Sequence, residues 1–188
     1  MWGYPAGNES RGKEAIVLSA DKFEDLELYV PVFRLISEGW LVDIAAPQKG
    51  HITGESNWYY IKANKTIDDI NPDDYDFLLI PGGRPGGAPT VVQTSTKAQA
   101  IAQSFFSQNK PVAAICHGPW LLVSAGLVRG RHLTSYWGDG VPQDIQKAGG
   151  IWEDKDVVVD GNLVTSRWPM DIAAFTREMM KMIKAGRT

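Results

Sequence analysis

VAAICHGP at residues 112–119 contains a strand, a sharp turn and the start of a helix in one short run. Its first four residues are apolar, as a strand buried on both faces requires. Gly118 and Pro119 open the helix, and the chain's single cysteine, Cys116, lies between the two elements. A strand that turns directly into a helix is the repeating unit of α/β proteins with a parallel sheet.

The same succession of strands and helices extends on both sides of this turn. We expect one doubly wound, flavodoxin-like α/β domain over residues 14–188, with a mostly parallel sheet and helices on both faces. A flexible N-terminal arm is expected over residues 1–13, and a small hairpin within residues 47–75. The predicted strands cover residues 15–20, 41–46, 77–80, 112–115, 132–136, 157–159 and 163–165, and the predicted helices cover about 21–38, 94–109, 118–125 and 171–185.

Composition excludes several classes of protein. With 44% hydrophobic and 22% charged residues in a chain of 188, the balance is that of a globular protein and not of a disordered one. A net charge of −3 and the lack of a basic stripe argue against nucleic acid and membrane surfaces as partners. One cysteine allows no disulfide within the chain, and neither a signal peptide nor a membrane-spanning run is recognisable. We expect a cytoplasmic protein.

Three loops are predicted to meet at one edge of the sheet. In doubly wound folds the active crevice lies beyond the carboxyl ends of the strands, where the strand order reverses. If the order begins 2-1-3-4, the loops after strands one, three and four converge there. These loops carry Glu27, the pair Gly82-Gly83 and the pair Cys116-His117.

Cys116 is the sharpest chemical feature of these loops. A nucleophile on such a turn needs small neighbours two residues away on each side, and here these are Ala114 and Gly118. The start of the following helix should lower the pKa of the thiol and so activate it. The alternative is a small buried hydrophobic residue. His117 is either a general acid or base or a half-buried imidazole, and its reach to the sulfur is open.

The other residues of these loops also allow two interpretations. The N–H groups after Ile80, at Gly82 and Gly83, could form an oxyanion hole with the N–H of His117, or the glycines could simply make a tight turn. From the residues alone, Glu27 is better explained as a helix-dipole partner than as an active-site carboxyl. The remaining histidines, 51 and 132, have no metal-ligand spacing, and the motifs of serine hydrolases, zinc proteases, NTPases and dinucleotide enzymes are absent. We expect no metal and no organic cofactor.

KPVAAICHGP at residues 110–119 resembles the nucleophile elbow of the ThiJ/PfpI family, which has a class I glutamine-amidotransferase-like fold. That family includes PfpI-type intracellular proteases and the parkinsonism-associated deglycase. The resemblance covers residues 14–184, and further matching stretches are FEDLE at 23–27, PGGR at 81–84, SAGLVRGR at 124–131 and VVDGNLVTSR at 158–167.

The resemblance assigns a role to each candidate residue. It implies that Cys116 is the nucleophile, that Glu27 is the carboxyl hydrogen-bonded to its sulfur, and that His117 is the neighbouring acid or base. Gly83 and the His117 amide become oxyanion donors, with Gly82 beside them, and Tyr136 lines the site. In addition, Trp120 stands where many relatives have Gln, so that a bulky ring should reshape the pocket.

One departure from the family bears on the reaction. PfpI-type proteases carry a glutamate shortly after the third strand, which completes a Cys-His-Glu triad across a subunit interface. The corresponding segment here, RPGGAP at residues 84–89, has none. We therefore expect His117 to lack an orienting carboxylate.

The resemblance also sets the expected function. We expect a cysteine-dependent, cofactor-independent enzyme of stress protection that acts on small reactive carbonyls or glycated proteins, of the glyoxalase or deglycase type, and that forms a homo-oligomer. The alternatives are a PfpI-like peptidase or amidase, weakened by the missing glutamate, and a redox sensor or chaperone whose Cys116 is oxidised.

Overall fold

The computed structural model describes residues 13–185, so the predicted N-terminal arm lies outside the described residues except for Lys13. The strands are β1 (Glu14–Leu18), β2 (Leu41–Ala46), β3 (Gly50–Thr53), β4 (Tyr60–Ala63), β5 (Lys65–Thr66), β6 (Phe77–Ile80), β7 (Val112–Ile115), β8 (His132–Leu133), β9 (Ile151–Trp152), β10 (Val157–Asp160) and β11 (Leu163–Ser166). The α-helices are α1 (Asp25–Ser37), α2 (Ala88–Thr94), α3 (Thr96–Ser107), α4 (Pro119–Ser124), α5 (Val141–Lys147) and α6 (Ile172–Ala185).

The main sheet has seven strands within the described range, in the order β10-β11-β7-β6-β1-β2-β5. Every neighbouring pair is parallel except β10 and β11. The central strands β2-β1-β6-β7 have the predicted 2-1-3-4 order, and the predicted doubly wound α/β class is confirmed. The order therefore brings the loops after β1, β6 and β7 to one edge.

Helices cover both faces of this sheet because its central strands are buried on both faces. Along β1, Ala15 and Val17 belong to one hydrophobic cluster, together with residues of α1 and α6. Ile16 and Leu18 point to the opposite face and belong to a second cluster, with residues of α2, α3, α4 and α5. This alternation is the period of two that a strand imposes.

Several predicted boundaries differ from the structure. The hairpin predicted within residues 47–75 is formed by β3 and β4, which pair antiparallel. The helix predicted over 94–109 is α3, which begins at Thr96 because the hydroxyl of Ser95 accepts a hydrogen bond from the N–H of Ala98. A separate helix, α2, precedes it and was not predicted. The strand predicted over 132–136 ends at Leu133, and α5 was not predicted.

Candidate active site

Cys116 occupies a sharp turn between β7 and α4. Its φ is +62°, in the left-handed region that side chains other than glycine rarely adopt. Backbone hydrogen bonds hold this conformation: the N–H of Cys116 donates to the carbonyl of Ser166 at 3.0 Å, and its own carbonyl accepts from Tyr136 at 2.9 Å. A strained backbone held on both sides is typical of a nucleophile elbow.

Gly118 is required by the tightness of this turn. A Cβ at Gly118 would lie 2.5 Å from the carbonyl oxygen of Ile80 and 2.8 Å from that of Ile115. Both oxygens belong to strand backbone and cannot move aside without disturbing the sheet. This is the steric reason behind the small residue expected two positions after the cysteine.

Glu27 is fully buried on α1 and faces the cysteine across the loop that follows β6. Its Oε2 accepts a hydrogen bond from the N–H of Gly82 at 2.9 Å, while Oε1 is buried without a hydrogen bond of normal geometry. Burial raises the pKa of this carboxyl well above its usual value, and the charge of Glu24 adds to the rise. The protonated carboxylic acid is therefore the favoured form beside the thiol.

The thiol of Cys116 is also favoured in its protonated form. Burial raises its pKa well above the usual value, and Glu27 adds to the rise whenever its carboxyl is ionised, although the N–H groups of Gly83 and His117 act in the opposite direction. The sequence-based expectation of a lowered thiol pKa is therefore wrong for the resting site. The residue is only 7% exposed, and this burial outweighs the hydrogen bonds that the N–H groups of Gly83 and His117 offer to the sulfur.

His117 lies within reach of the sulfur, which answers the question that the sequence left open. Its Nδ1 is 3.2 Å from Sγ of Cys116, and its Nε2 is 2.9 Å from Oδ2 of Asp139. The expectation of an imidazole without an orienting carboxylate is therefore wrong: a residue of the turn before α5 takes this position. Burial lowers the pKa of His117, and Asp139 opposes that shift.

The two glycines after β6 have different roles. The N–H of Gly82 is taken by Glu27, and a Cβ at Gly82 would come within 2.6 Å of both the Cβ of Cys116 and Oε2 of Glu27. Gly83 has φ +141°, and a Cβ there would lie 2.4 Å from the carbonyl oxygen of Lys22. Since its N–H approaches the sulfur together with that of His117, this is the pair that could bind an oxyanion.

A cavity of about 630 Å³ opens above the sulfur. Tyr136 lines it as expected, and its ring centroid is 4.9 Å from that of His117. Trp120, expected to reshape the pocket, does not line the cavity. The centroid of its ring lies 4.8 Å from that of the His117 ring, and its Nε1 donates a hydrogen bond to Asp144. Trp120 therefore packs behind the histidine and helps to hold its ring in place. The full lining comprises Glu24, Glu55, Gly83, Arg84, Pro85, Cys116, His117, Tyr136, Asp139, Trp168 and Pro169.

Two further acidic residues at the cavity were not singled out from the sequence. Burial, and then the charge of Glu55, raises the pKa of Glu24 to about 7. The pKa of Glu55 is also raised by its burial, while Arg84, at 3.7 Å, opposes that rise. The carboxylate of Glu24 accepts a hydrogen bond from the N–H of Glu27 and so caps the start of α1. The acidic residues at the start of this helix could have indicated that capping role.

Other kinds of site have less support in the described chain. Within residues 13–185, no three His, Cys, Asp or Glu side chains are grouped as metal ligands, and no helix combines the length and apolarity needed to cross a bilayer. A second cavity, of about 660 Å³, lies beside Lys13, Trp40 and Lys110 at the amino ends of the strands, away from the cysteine. Among the described residues, Cys116, His117 and the buried Glu27 instead lie together at the carboxyl edge.

A parallel sheet with a cysteine elbow, a buried glutamate and an adjacent histidine defines a class of α/β proteins with a cysteine-centred site. The chain belongs to the DJ-1/PfpI family, whose family model matches residues 13–182. This confirms the family that the sequence resembles.

Named relatives cover nearly the whole chain. The deglycase PfpI of Pyrococcus furiosus is 48% identical over 169 residues, which are 90% of this chain and 98% of that protein. The deglycase PH1704 of Pyrococcus horikoshii is 47% identical over 171 residues, 91% of this chain and 99% of that protein. A solved two-domain protein of Anabaena variabilis, with DJ-1/ThiJ/PfpI-like and ferritin-like domains, superposes with a TM-score of 0.85 at 30% identity. That match covers 93% of this chain and 48% of the larger protein.

Proposed function

We propose that this protein is a cysteine-dependent enzyme of the deglycase or glyoxalase type, which acts on small reactive carbonyls or on their adducts with proteins. The observation that carries the proposal is the placement of Sγ of Cys116, 3.2 Å from an imidazole nitrogen and beside two backbone N–H groups. The name deglycase of the relatives supports the same class of enzyme.

The geometry supports addition of the thiol to an aldehyde. His117 Nδ1 takes the thiol proton as the sulfur–carbon bond forms, and the carbonyl electron pair moves to oxygen as an alkoxide. The N–H groups of Gly83 and His117 stabilise that alkoxide. Since the resting thiol is protonated, a base in contact with it is needed for this step, and the imidazole provides one.

The later steps move protons between adjacent carbons. For methylglyoxal, the imidazolium of His117 returns its proton to the alkoxide, which gives the hemithioacetal. The former aldehyde hydrogen then leaves as a proton while the ketone oxygen gains one, which gives an enediol. Protonation of the neighbouring carbon and loss of the proton on the first oxygen give the thioester. Glu27 and His117 are the groups close enough to the sulfur to carry these protons. The product is a lactate thioester of Cys116, and water cleaves its carbon–sulfur bond to release lactate and the thiol.

The test is lactate formation from methylglyoxal without added glutathione or metal. We expect turnover by the wild-type protein and none by Cys116→Ser, because the hydroxyl is a far weaker nucleophile at the same position. An exposed substitution of equal size, Ser37→Ala, serves as a control that keeps activity. Turnover retained by Cys116→Ser would overturn the mechanism.

A peptidase or amidase is the second candidate, and the hydrogen bond from His117 to Asp139 favours it. An oriented imidazole beside a thiol is the arrangement that cysteine peptidases use. Cleavage of a fluorogenic peptide, abolished by Cys116→Ala, would support this candidate.

If neither methylglyoxal nor the peptide is turned over, a redox role remains. Mass spectrometry after mild peroxide treatment would then show two added oxygens on the peptide that contains Cys116.

We propose further that the protein is a cytoplasmic homo-oligomer. Exposed aromatic side chains support association with a second copy: Phe33, Tyr59 and Tyr60 are each more than half exposed and lie around Tyr29. Light scattering should give a mass of two or more times 20.7 kDa, and Phe33→Glu should lower it. A monomeric wild-type protein would contradict this.

A further inference from the structure

We propose that Asp139 is the positioning residue of the site, and that it makes the Cys-His-carboxylate arrangement complete within a single chain. The inference rests on the proposed function, since it concerns how His117 acts as a base. It starts from the 2.9 Å contact between Nε2 of His117 and Oδ2 of Asp139, a residue of the cavity lining that follows the histidine by 22 positions.

The two contacts of the ring select one tautomer of His117. A carboxylate can only accept a hydrogen bond, so Nε2 must carry the proton that it donates to Asp139. In the neutral ring, Nδ1 then has its lone pair directed at Sγ, 3.2 Å away. This is the tautomer that can remove the thiol proton.

Asp139 also stabilises the charged form of the ring. Burial lowers the pKa of His117, and the Asp139 contact is the largest influence in the opposite direction. When the thiol proton moves to Nδ1, the imidazolium is held between the thiolate and Asp139. The ion pair needed for attack is therefore less costly with the carboxylate than without it.

The backbone around Asp139 is built to hold this position. Asp139 has φ +55°, a left-handed conformation that residues other than glycine rarely adopt. It lies between two glycines, of which Gly140 has φ +81°, and the carbonyl of Gly140 accepts the N–H of Asp144 at the start of α5. A Cβ at Gly138 would lie 2.6 Å from the Tyr136 ring.

The groups facing His117 come from several parts of the chain. Cys116 and Asp139 contact its nitrogens, the rings of Tyr136 and Trp120 pack against it at tilted angles, and Glu27 lies beyond the sulfur. Among the described residues in contact with the ring, Asp139 is the one carboxylate. No second subunit is needed to orient the imidazole.

The first test measures the reactivity of the thiol. Cys116 is the chain's only cysteine, so alkylation by iodoacetamide reports on it alone. We expect Asp139→Asn to lower the alkylation rate at pH 7 by about tenfold and to move the half-maximal rate to higher pH, because an amide does not stabilise the imidazolium. Asp139→Glu should restore part of the rate. Asp68→Asn, the same charge change at an exposed residue after β5, should match wild type.

The second test observes the tautomer itself. In a His51→Gln/His132→Gln background, His117 is the only histidine, and both replaced residues are exposed. Two-bond proton–nitrogen spectra should show the proton on Nε2, and Asp139→Asn should introduce the other tautomer or a mixture. An unchanged tautomer together with an unchanged alkylation profile would overturn the proposal, whether or not methylglyoxal is a substrate.

A third test asks whether Asp139 acts within its own chain. If turnover is present in the wild-type protein, Asp139→Asn should lower kcat/KM on the order of 100-fold. Refolding Cys116→Ala together with Asp139→Asn chains should then restore nothing, because neither chain has both residues. Restored turnover in the mixed protein would show that a neighbouring subunit supplies the carboxylate and would refute the single-chain site.

Discussion

Replacing Gly118 with alanine tests the steric basis of the elbow. Gly118 has φ −52° and ψ −38°, which alanine adopts without strain, so the backbone dihedral angles do not disfavour the substitution. The new Cβ would lie 2.5 Å from the carbonyl oxygen of Ile80 and 2.8 Å from that of Ile115. Reaching an ordinary contact of 3.4 Å requires a movement of about 0.9 Å, against two strand backbones.

The cost of that movement can be expressed as a melting temperature. Overpacking of this kind costs about 3 kcal/mol when the neighbours are rigid. For a chain of this length, each kcal/mol shifts Tm by roughly 2–4 °C, so Gly118→Ala should melt roughly 6–12 °C below wild type. Alkylation of Cys116 should change as well, because the displaced turn carries both the sulfur and His117.

A second glycine provides the matched control. Gly130 has φ +72° and no atom within 4 Å of an added Cβ. Gly130→Ala should therefore lose only about 1 kcal/mol through its dihedral angle, a fall in Tm of roughly 2–4 °C. Thermal melts followed by circular dichroism compare the two variants. If Gly118→Ala melts no lower than Gly130→Ala, the steric account of the elbow is wrong.

Three further predictions concern the groups around the sulfur. Glu27→Gln should lower the pKa of Cys116, because at the alkaline pH where the buried thiol ionises the carboxyl of Glu27 carries the negative charge that raises this pKa, and an unchanged thiolate titration at 240 nm would contradict this. The pKa of Glu24 is raised to about 7, so its protonated form stabilises the fold below pH 4.5 and this contribution is lost as pH rises through 7. Glu24→Gln should then be more stable than wild type at pH 8 and equal to it at pH 4, and a Tm difference independent of pH would refute the assignment. Trp120→Phe removes the hydrogen bond to Asp144 and should cost about 1 kcal/mol in urea unfolding, whereas an unchanged midpoint would show that the bond contributes nothing.

The elbow and the convergence of loops could be predicted because both follow from short-range patterns. The apolar run 112–115, the single cysteine and Gly118 define a strand, turn and helix within a few residues. The topology of parallel sheets then places the loops after β1, β6 and β7 together without any information on side chains.

Asp139 and the direction of the thiol pKa could not be predicted in the same way. Asp139 lies in a turn with no periodicity, and only the three-dimensional path of the chain brings it to His117. The sequence shows that a helix follows Cys116, which suggests a lower pKa, but it does not show how completely the sulfur is buried. Burial is a property of the whole packed domain and here outweighs the local effect.

The hydrogen bond between Gly82 and Glu27 joins residues 55 positions apart, and Cys116 is held by Ser166 and Tyr136 from two other segments. Contacts this distant in sequence form late, since the chain must close large loops before they can be made. During synthesis and refolding, the cysteine is therefore exposed before its protecting neighbours arrive. The time at which alkylation of the thiol slows from its rate in the unfolded chain to its rate in the native protein should mark the last step of folding, after the helices have formed.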